Sequence, residues 1–295
     1  MTAGDDVIDM PGAPLVGSPA RSLLSLVSVG VLSYRALQTV ARSLENHRRS
    51  GLVDAAGEFF VFFNGMTAED KKLAEEAGIS YFGSAKNTGI YGGFRAIAEK
   101  ARNPYVLILE NDIVSLAGSS VLDCIESCLS DMIEHNIKCF CLRSREQPGA
   151  GGTYAKYVQC FGVEDPFLPT VKPQKAKLSS RIVMFFKHGG FDKFRARSMY
   201  IERYPERVER NAVRKLSSGN YVTDSRYRNW SNQAVLVERQ YFLDVICRRV
   251  EEHPDPRLVN GHQDIERALN VRWWRRRRDL AGQAGIGVFT HARLD

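Results

Sequence analysis

Glu110-Asn111-Asp112, two carboxylates flanking an amide, follow directly on the apolar run Tyr105-Val106-Leu107-Ile108-Leu109. Apolar runs of this kind between helical stretches read as strands buried in a parallel sheet, and open α/β sheets bind ligands at the carboxyl ends of such strands. Carboxylate oxygens at that edge are hard ligands for Mg²⁺ or Mn²⁺, which complete their shells with water and diphosphate oxygens. The chemistry on offer is neutralisation of a diphosphate leaving group. Taken alone, the triplet serves equally well as turn residues, because Asn and Asp suit turns for backbone reasons.

Three other places carry matching chemistry. Asn87-Thr88-Gly89-Ile90-Tyr91-Gly92-Gly93-Phe94-Arg95 offers glycines that admit a phosphate or sugar close to the backbone, and an arginine able to fork onto an anion. Asp264 opens a helical stretch in Asn260-Gly261-His262-Gln263-Asp264-Ile265-Glu266-Arg267-Ala268-Leu269. Taken alone, a carboxylate there faces the helix dipole. His291 ends Gly287-Val288-Phe289-Thr290-His291, where an imidazole completes a mixed nitrogen and oxygen site for Mn²⁺ or fills a structural role.

The elements that must position these groups alternate along the chain. An apolar run at Leu26–Leu32, a helix carrying Leu37, Val40, Ala41 and Leu44, and a second run at Phe59–Phe63 make a β-α-β unit. A helix at Ala68–Ala77, a strand at Ile79–Phe82, a helix at Gly92–Arg102 and the strand before Glu110 continue it. A helix at Ser119–His135 and a strand at Lys138–Leu142 follow. Glycine- and proline-containing loops at Gly149–Gly152 and Pro166–Pro173, a strand at Ile182–Phe186 and a charged stretch at Tyr200–Lys215 come next. A strand at Ala234–Val237 and a helix at Arg239–Glu252 lead into the Asp264 segment. No internal repeat is visible.

Composition fits this plan. The 295 residues are 44% hydrophobic and 25% charged, enough for a substantial core. Forty-one Lys and Arg against 34 Asp and Glu give +7, which suits an anionic partner. The six cysteines lack zinc-like spacing or disulfide-scaffold density, and read as buried thiols. Asp5, Asp6 and Asp9 precede the apolar stretch Leu23–Leu32, which is also too short to span a bilayer. A cytoplasmic protein is expected, with a tail over residues 1–21 and a single domain over 22–295.

The Asn87–Arg95 segment, the Ala101-Arg102-Asn103-Pro104 turn, the apolar strand and Glu110-Asn111-Asp112 resemble, in order and spacing, the inverting family 2 glycosyltransferases of the GT-A type. Val27-Ser28-Val29-Gly30-Val31-Leu32-Ser33-Tyr34-Arg35 is similar to that family's opening strand, and the Gln233–Leu243 and Asn260–Leu269 stretches to the segments around its catalytic Asp. The resemblance is strong over about residues 24–115 and looser over 230–292. It implies a Rossmann-like, mainly parallel sheet flanked by helices, with a small antiparallel portion and acceptor-side loops. Residues 22–115 would form the nucleotide-sugar half and 116–295 the acceptor half.

The resemblance also implies roles. Ser33 and Tyr34 border the nucleobase, and Asn87, Gly89 and Arg95 belong to the donor site. Glu110 and Asn111 flank the metal ligand Asp112, with His291 as a further ligand, and Asp264 is the base. Trp230-Ser231-Asn232-Gln233 border the acceptor. Asn64 stands where the family has an Asp that contacts base or ribose, which leaves the nucleotide open; a UDP-sugar is the first expectation, by family frequency. Two other readings stay open: a binding protein without turnover on this fold, and a sugar-phosphate nucleotidyltransferase. The latter expects a Gly- and Arg-rich loop after the first strand, where Ser33-Tyr34-Arg35-Ala36 instead runs into a helix.

Arg272-Trp273-Trp274-Arg275-Arg276-Arg277-Arg278 is the densest basic stretch. It reads as a peripheral contact with an anionic inner-membrane surface or a pyrophosphate, or as a solvated helix end with buried tryptophans. No nucleic-acid module surrounds it, so nucleic acid is not the expected partner.

Overall fold

Val27–Ser33 forms β1, all seven residues buried, as a strand covered on both faces must be. The computed structural model that shows this describes residues 22–118, 120–147, 199, 204–208 and 210–292. The expected tail, the loops at Gly149–Gly152 and Pro166–Pro173, the strand at Ile182–Phe186 and the start of the charged stretch lie outside them.

The helix α1 (Leu37–Arg49) leads through a short helical turn, α2 (Leu52–Ala55), to β2 (Glu58–Asn64). Next come α3 (Ala68–Glu76), β3 (Ser80–Ser84), α4 (Gly89–Lys100) and β4 (Tyr105–Glu110). The strands β5 (Ile113–Ser115) and β6 (Cys139–Cys141) flank α5 (Val121–His135). The remaining strands are β7 (Arg214–Lys215), β8 (Tyr221–Asp224), β9 (Val235–Glu238), β10 (Leu280–Gln283) and β11 (Phe289–His291).

Among the described residues nine strands make one sheet in the order β3-β2-β1-β4-β9-β6-β10-β8-β7, and β5 pairs with β11 in a separate ribbon. The first four strands are parallel, as are β6 and β10. The strand β9 runs antiparallel between β4 and β6, and β8 antiparallel to β10. The α/β class and mainly parallel sheet are as expected. The carboxyl ends of β1, β2, β4, β6 and β10 consequently share one edge.

Two apolar layers cover the sheet. Val40 and Leu44 of α1 and Ile125 and Leu129 of α5 pack on one face with Val29, Val31 and Leu107. Phe94 and Ile97 of α4, with Phe242 and Ile246, pack on the other with Leu32, Phe60 and Val106. Each such side chain contributes about 1.5–3 kcal/mol by full burial. The helix holding Phe242 is continuous from Arg239 to Glu252, with a π-helical middle over Phe242–Cys247.

One boundary differs from expectation in a way that matters. The helix α4 begins at Gly89, so Gly92 and Gly93 lie inside it. A β-carbon on Gly93 would sit 2.5 Å from Leu32 Cδ1, so this glycine serves the seating of α4 on the sheet. The sequence alone opens this helix at Gly92 and gives the glycines to close approach of a phosphate or sugar.

Candidate active site

The ribbon of β5 and β11 brings together residues that the chain keeps far apart. His291 lies opposite Ile113 in the register, and the Ala292 amide donates to Asp112 O at 2.8 Å. Asp112 Oδ1 and His291 Nε2 are both buried, and neither atom makes a hydrogen bond, although each residue interacts elsewhere. Glu110 ends β4 opposite Leu32, half-buried, and Asn111 and Asp112 form the turn into β5.

A polar stripe on α1 holds the ribbon. Ser43 Oγ donates to Ile113 O at 3.1 Å. Asn46 Nδ2 donates to Ser115 O at 3.1 Å, and its Oδ1 accepts from Ser115 N at 2.7 Å and Ser115 Oγ at 2.6 Å. His47 packs beneath, its ring 6.1 Å from those of Phe59 and Phe289 and its Nε2 3.0 Å from Ser43 Oγ. Burial lowers its pKa to about 4 against an opposing hydrogen bond at Ile113, so the imidazole is neutral near pH 7. None of Ser43, Asn46 and His47 was singled out in the sequence. Their spacing on one helix face was the available signal.

At the carboxyl end of β1, Ser33 is 1% exposed and its hydroxyl makes no hydrogen bond. Tyr34 turns outward, 41% exposed, with the Arg35 guanidinium 5.3 Å from its ring centroid. Its ring edge lies 3.6 Å from where a β-carbon on Gly65 would stand. The first and second strands therefore end in one place with an accessible aromatic face.

Asn64 is buried there and engaged on both sides of its amide. Its Nδ2 donates to Asn87 Oδ1 at 2.9 Å and Gly89 O at 3.0 Å. Its Oδ1 accepts from Thr88 N at 2.7 Å, Thr88 Oγ1 at 3.0 Å and Ser84 Oγ at 3.2 Å. An amide has two donors beside its acceptor oxygen, and a carboxylate has acceptors only. The residue pins the Ser84–Gly89 loop through bonds that an Asp could not all make.

Asn87 Oδ1 also accepts from Gly89 N at 2.8 Å. Gly89 has φ +74°, and a β-carbon on it would fall 2.4 Å from His262 Cβ. The Asn87–Gly89 turn and the segment leading to Asp264 are thus in contact. Asp264 caps the helix Ile265–Leu269: its Oδ1 accepts from Glu266 N at 2.9 Å and Arg267 N at 3.4 Å, while Oδ2 is 3.4 Å from Arg267 Nε.

Arg95 is held in a partly exposed network of ion pairs. Its Nε bonds Glu99 Oε1 at 2.7 Å and its Nη1 pairs with Glu251, which also accepts from Tyr91 at 3.0 Å. The Glu99 bond leads the effects that raise its pKa. The arginine clamps α4 to the helix bearing Phe242. Trp230 and Asn232 are likewise buried in structure: Trp230 Nε1 donates to Asn232 Oδ1 at 2.9 Å, and Asn232 N donates to Glu266 at 2.9 Å. Ser231 and Gln233 are half-buried beside them.

The basic stretch divides. Trp274 is core, with Nε1 donating to Arg228 O at 2.7 Å. Trp273 lies between Arg249 and Arg277, 5.1 and 5.2 Å from its ring centroid. Arg277 pairs with Asp279, and Arg278 with Asp224 at 2.7 Å. Arg275 is half-buried, and Arg272 and Arg276 face solvent. No helix among the described residues is long and apolar enough to cross a membrane.

Among the described residues no three His, Cys, Asp or Glu side chains converge as a complete metal cage. Asp112 and His291 carry a carboxylate and an imidazole, oxygen and nitrogen donors of the kinds that Mn²⁺ accepts, on segments that the β5–β11 pairing brings together.

No family model and no curated protein matches the chain. Among solved structures it is similar to the mannosyltransferase PcManGT from Pyrobaculum calidifontis in complex with GDP-Man and Mn²⁺, at 13% identity and TM-score 0.35, over 41% of this chain and 36% of that one. It is also similar to S. aureus TarS 1-349 in complex with UDP-GlcNAc, at 11% identity and TM-score 0.47, over 91% of this chain and 59% of that one. The chain therefore spans less than two thirds of the length of either structure.

Proposed function

We propose that the chain is a metal-dependent glycosyltransferase that moves a sugar from a nucleotide-sugar, a UDP-sugar first, to an acceptor hydroxyl with inversion. The observation that supports this reading is the β5–β11 pairing, which brings the backbone of the His291 segment to that of Asp112 at the carboxyl edge of the sheet. The order of motifs in the sequence supports it.

Asp112 and His291 would hold Mn²⁺ or Mg²⁺, with Glu110 and Asn111 beside them. Such an ion supplies charge neutralisation at the diphosphate. Tyr34 offers its exposed ring to the nucleobase, and the loop pinned by Asn64 and Asn87 shapes the neighbouring wall. The acceptor oxygen attacks the anomeric carbon as its bond to the diphosphate breaks. The hydroxyl proton passes to Asp264 Oδ2, and the nucleoside diphosphate leaves with the bonding electrons. Arg267 must yield Oδ2 for that transfer, while the Oδ1 capping bonds keep the carboxylate aimed.

The same capping bonds give a second reading one observation of its own: a carboxylate committed to a helix end suits a binding protein without turnover. Release of UDP from UDP-sugars, with and without Mn²⁺, separates the two. Metal-dependent turnover lost in Asp112→Ala and Asp264→Ala supports the transferase. Saturable UDP binding without any turnover over a panel of sugars supports the second reading.

A further inference from the structure

A cavity of about 760 Å³ opens where β6 and β10 end, and neither Asp112 nor His291 lines it. Arg145 follows β6, Gly285 and Ile286 follow β10, Lys215 ends β7 and Tyr221 begins β8; all five line the cavity. It occupies the same carboxyl edge as the proposed donor site, at the other half of the sheet.

Its chemistry is set by a buried cation. Arg145 is only 6% exposed. Nη1 donates to Gly285 O at 3.1 Å, Cζ lies 4.8 Å from the Tyr221 ring centroid, and Nε makes no hydrogen bond. Lys215 Nζ lies 6.0 Å from the same ring. The Gly285 carbonyl, the Tyr221 ring and hydroxyl, and the Glu206 and Glu146 carboxylates nearby meet part of what a desolvated guanidinium requires, and its five donors are built to fork onto a carboxylate or phosphate. Burial accordingly lowers its pKa.

A bare anion is not the best fit, because Glu146 and Asp123 also line the space. Those carboxylates accept hydrogen bonds from hydroxyls, and the wall is stiff: Asn220 Nδ2 bonds Ser127 Oγ at 3.1 Å and Asp131 at 2.7 Å, while its Oδ1 accepts from Gly285 N at 2.9 Å. A ligand with one acidic group and several hydroxyls answers both kinds of lining. We propose that this cavity binds an acidic saccharide, its carboxylate or phosphate on Arg145 and Lys215 and its hydroxyls toward Glu146 and Asp123.

The assignment stands without the transferase reading. If that reading holds, the cavity is placed to grip the acceptor. Val288 on its wall is three residues from His291, a span of at most about 11 Å.

The test titrates the full chain with glucuronate, glucose 6-phosphate and neutral glucose, read by saturation-transfer NMR. Saturable binding of either charged sugar, with glucose weaker by about tenfold or more, is expected. The uronate and phosphate arms identify the acidic group. Lys215→Ala, at an exposed strand end, should weaken binding about threefold, and Arg145→Gln should abolish it. Binding should persist in saturating UDP and Mn²⁺. Four results overturn the proposal: no saturable binding of either charged sugar, equal binding of glucose, displacement by UDP and Mn²⁺, or binding unchanged in a folded Lys215→Ala and Arg145→Gln pair. Because no turnover is measured, failure here and failure of the transferase reading are separate.

Discussion

The backbone segments of Asp112 and His291 meet because β11 pairs antiparallel with β5, His291 facing Ile113 and Ala292 N bonding Asp112 O at 2.8 Å. Backbone bonds between the strands and the Ser43 and Asn46 side chains hold this ribbon, so substitutions at Asp112 and His291 can test the chemistry without dismantling it. Asp112→Ala should cut Mn²⁺-dependent UDP-sugar turnover by about 100-fold, and His291→Ala should raise the Mn²⁺ required by about tenfold. Turnover assays across a Mn²⁺ series, with circular dichroism to confirm folding, decide it. Activity indifferent to metal in all three proteins would remove the site.

Asn64→Asp tests whether the amide is a structural pin. The substitution replaces the Nδ2 donor by an oxygen facing Asn87 Oδ1 and Gly89 O, a loss of roughly 2–4 kcal/mol. The new carboxyl is favoured protonated in the folded state, so its folded pKa lies above the unfolded value of about 3.9. Stability is then greatest below that value and falls as pH rises through the folded pKa. Urea melts should find the variant weaker at pH 8 than at pH 5, relative to the native chain; an unchanged melt at both would show that the loop is held otherwise.

The strands and helices from Val27 to Cys141 were legible because their apolar residues repeat at sheet and helix periods. The three-residue strand β5 was not, since Ile113-Val114-Ser115 is too short to show alternation. Nor was β10, Leu280-Ala281-Gly282-Gln283, whose burial comes from a tertiary partner: a β-carbon on Gly282 would meet the Phe140 ring at 2.3 Å. The triplet Glu110-Asn111-Asp112, His291 and the strand ending at His291 were visible, but β5, which pairs the two segments, was not. Arg95 and Trp274 show the converse. Arg95 was read toward a ligand and Trp274 either toward a ligand or as a buried tryptophan, and long-range neighbours, Glu251 and Arg228, take them up.

His47 gives the fold an acid limb. Its pKa is lowered to about 4 by burial between Phe59 and Phe289, whereas in the unfolded chain it is about 6.5. The unfolded state therefore binds the proton first. The stability from the neutral imidazole is complete above about pH 6.5 and is lost as pH falls toward 4, on the order of 3 kcal/mol in all. His47→Gln should flatten that limb in urea melts taken from pH 7.5 to 4.5. An equally steep limb in the variant would place its origin in other groups.

Gly89→Ala imposes two separate costs. A φ of +74° disfavours any β-carbon, by about 1–2 kcal/mol, and that carbon would meet His262 Cβ at 2.4 Å. His262→Gly removes only the second. Thermal melts of both single variants and the double should therefore couple, the double being more stable than the sum of losses implies. Additive losses would mean that the two segments do not touch, and the link between the Asn87 turn and Asp264 would go with them.

The basic stretch separates into a structural and an electrostatic half, and the two respond to different measurements. Trp274 is 2% exposed and edge-on to Trp230 at 5.8 Å, so Trp274→Ala should cost about 3–5 kcal/mol and be seen first as a lowered melting temperature. Arg272 and Arg276 face solvent, and replacing both by Gln should leave the melt within about 0.5 kcal/mol. If the stretch meets an anionic membrane surface, the same double variant should bind phosphatidylserine vesicles more weakly, by about 1 kcal/mol for each charge lost. The native chain's binding should fall with salt, because exposed charges are screened over about a Debye length. Equal vesicle binding by native and variant proteins would return Arg272 and Arg276 to ordinary solvated surface and leave the tryptophans as the reason for the stretch.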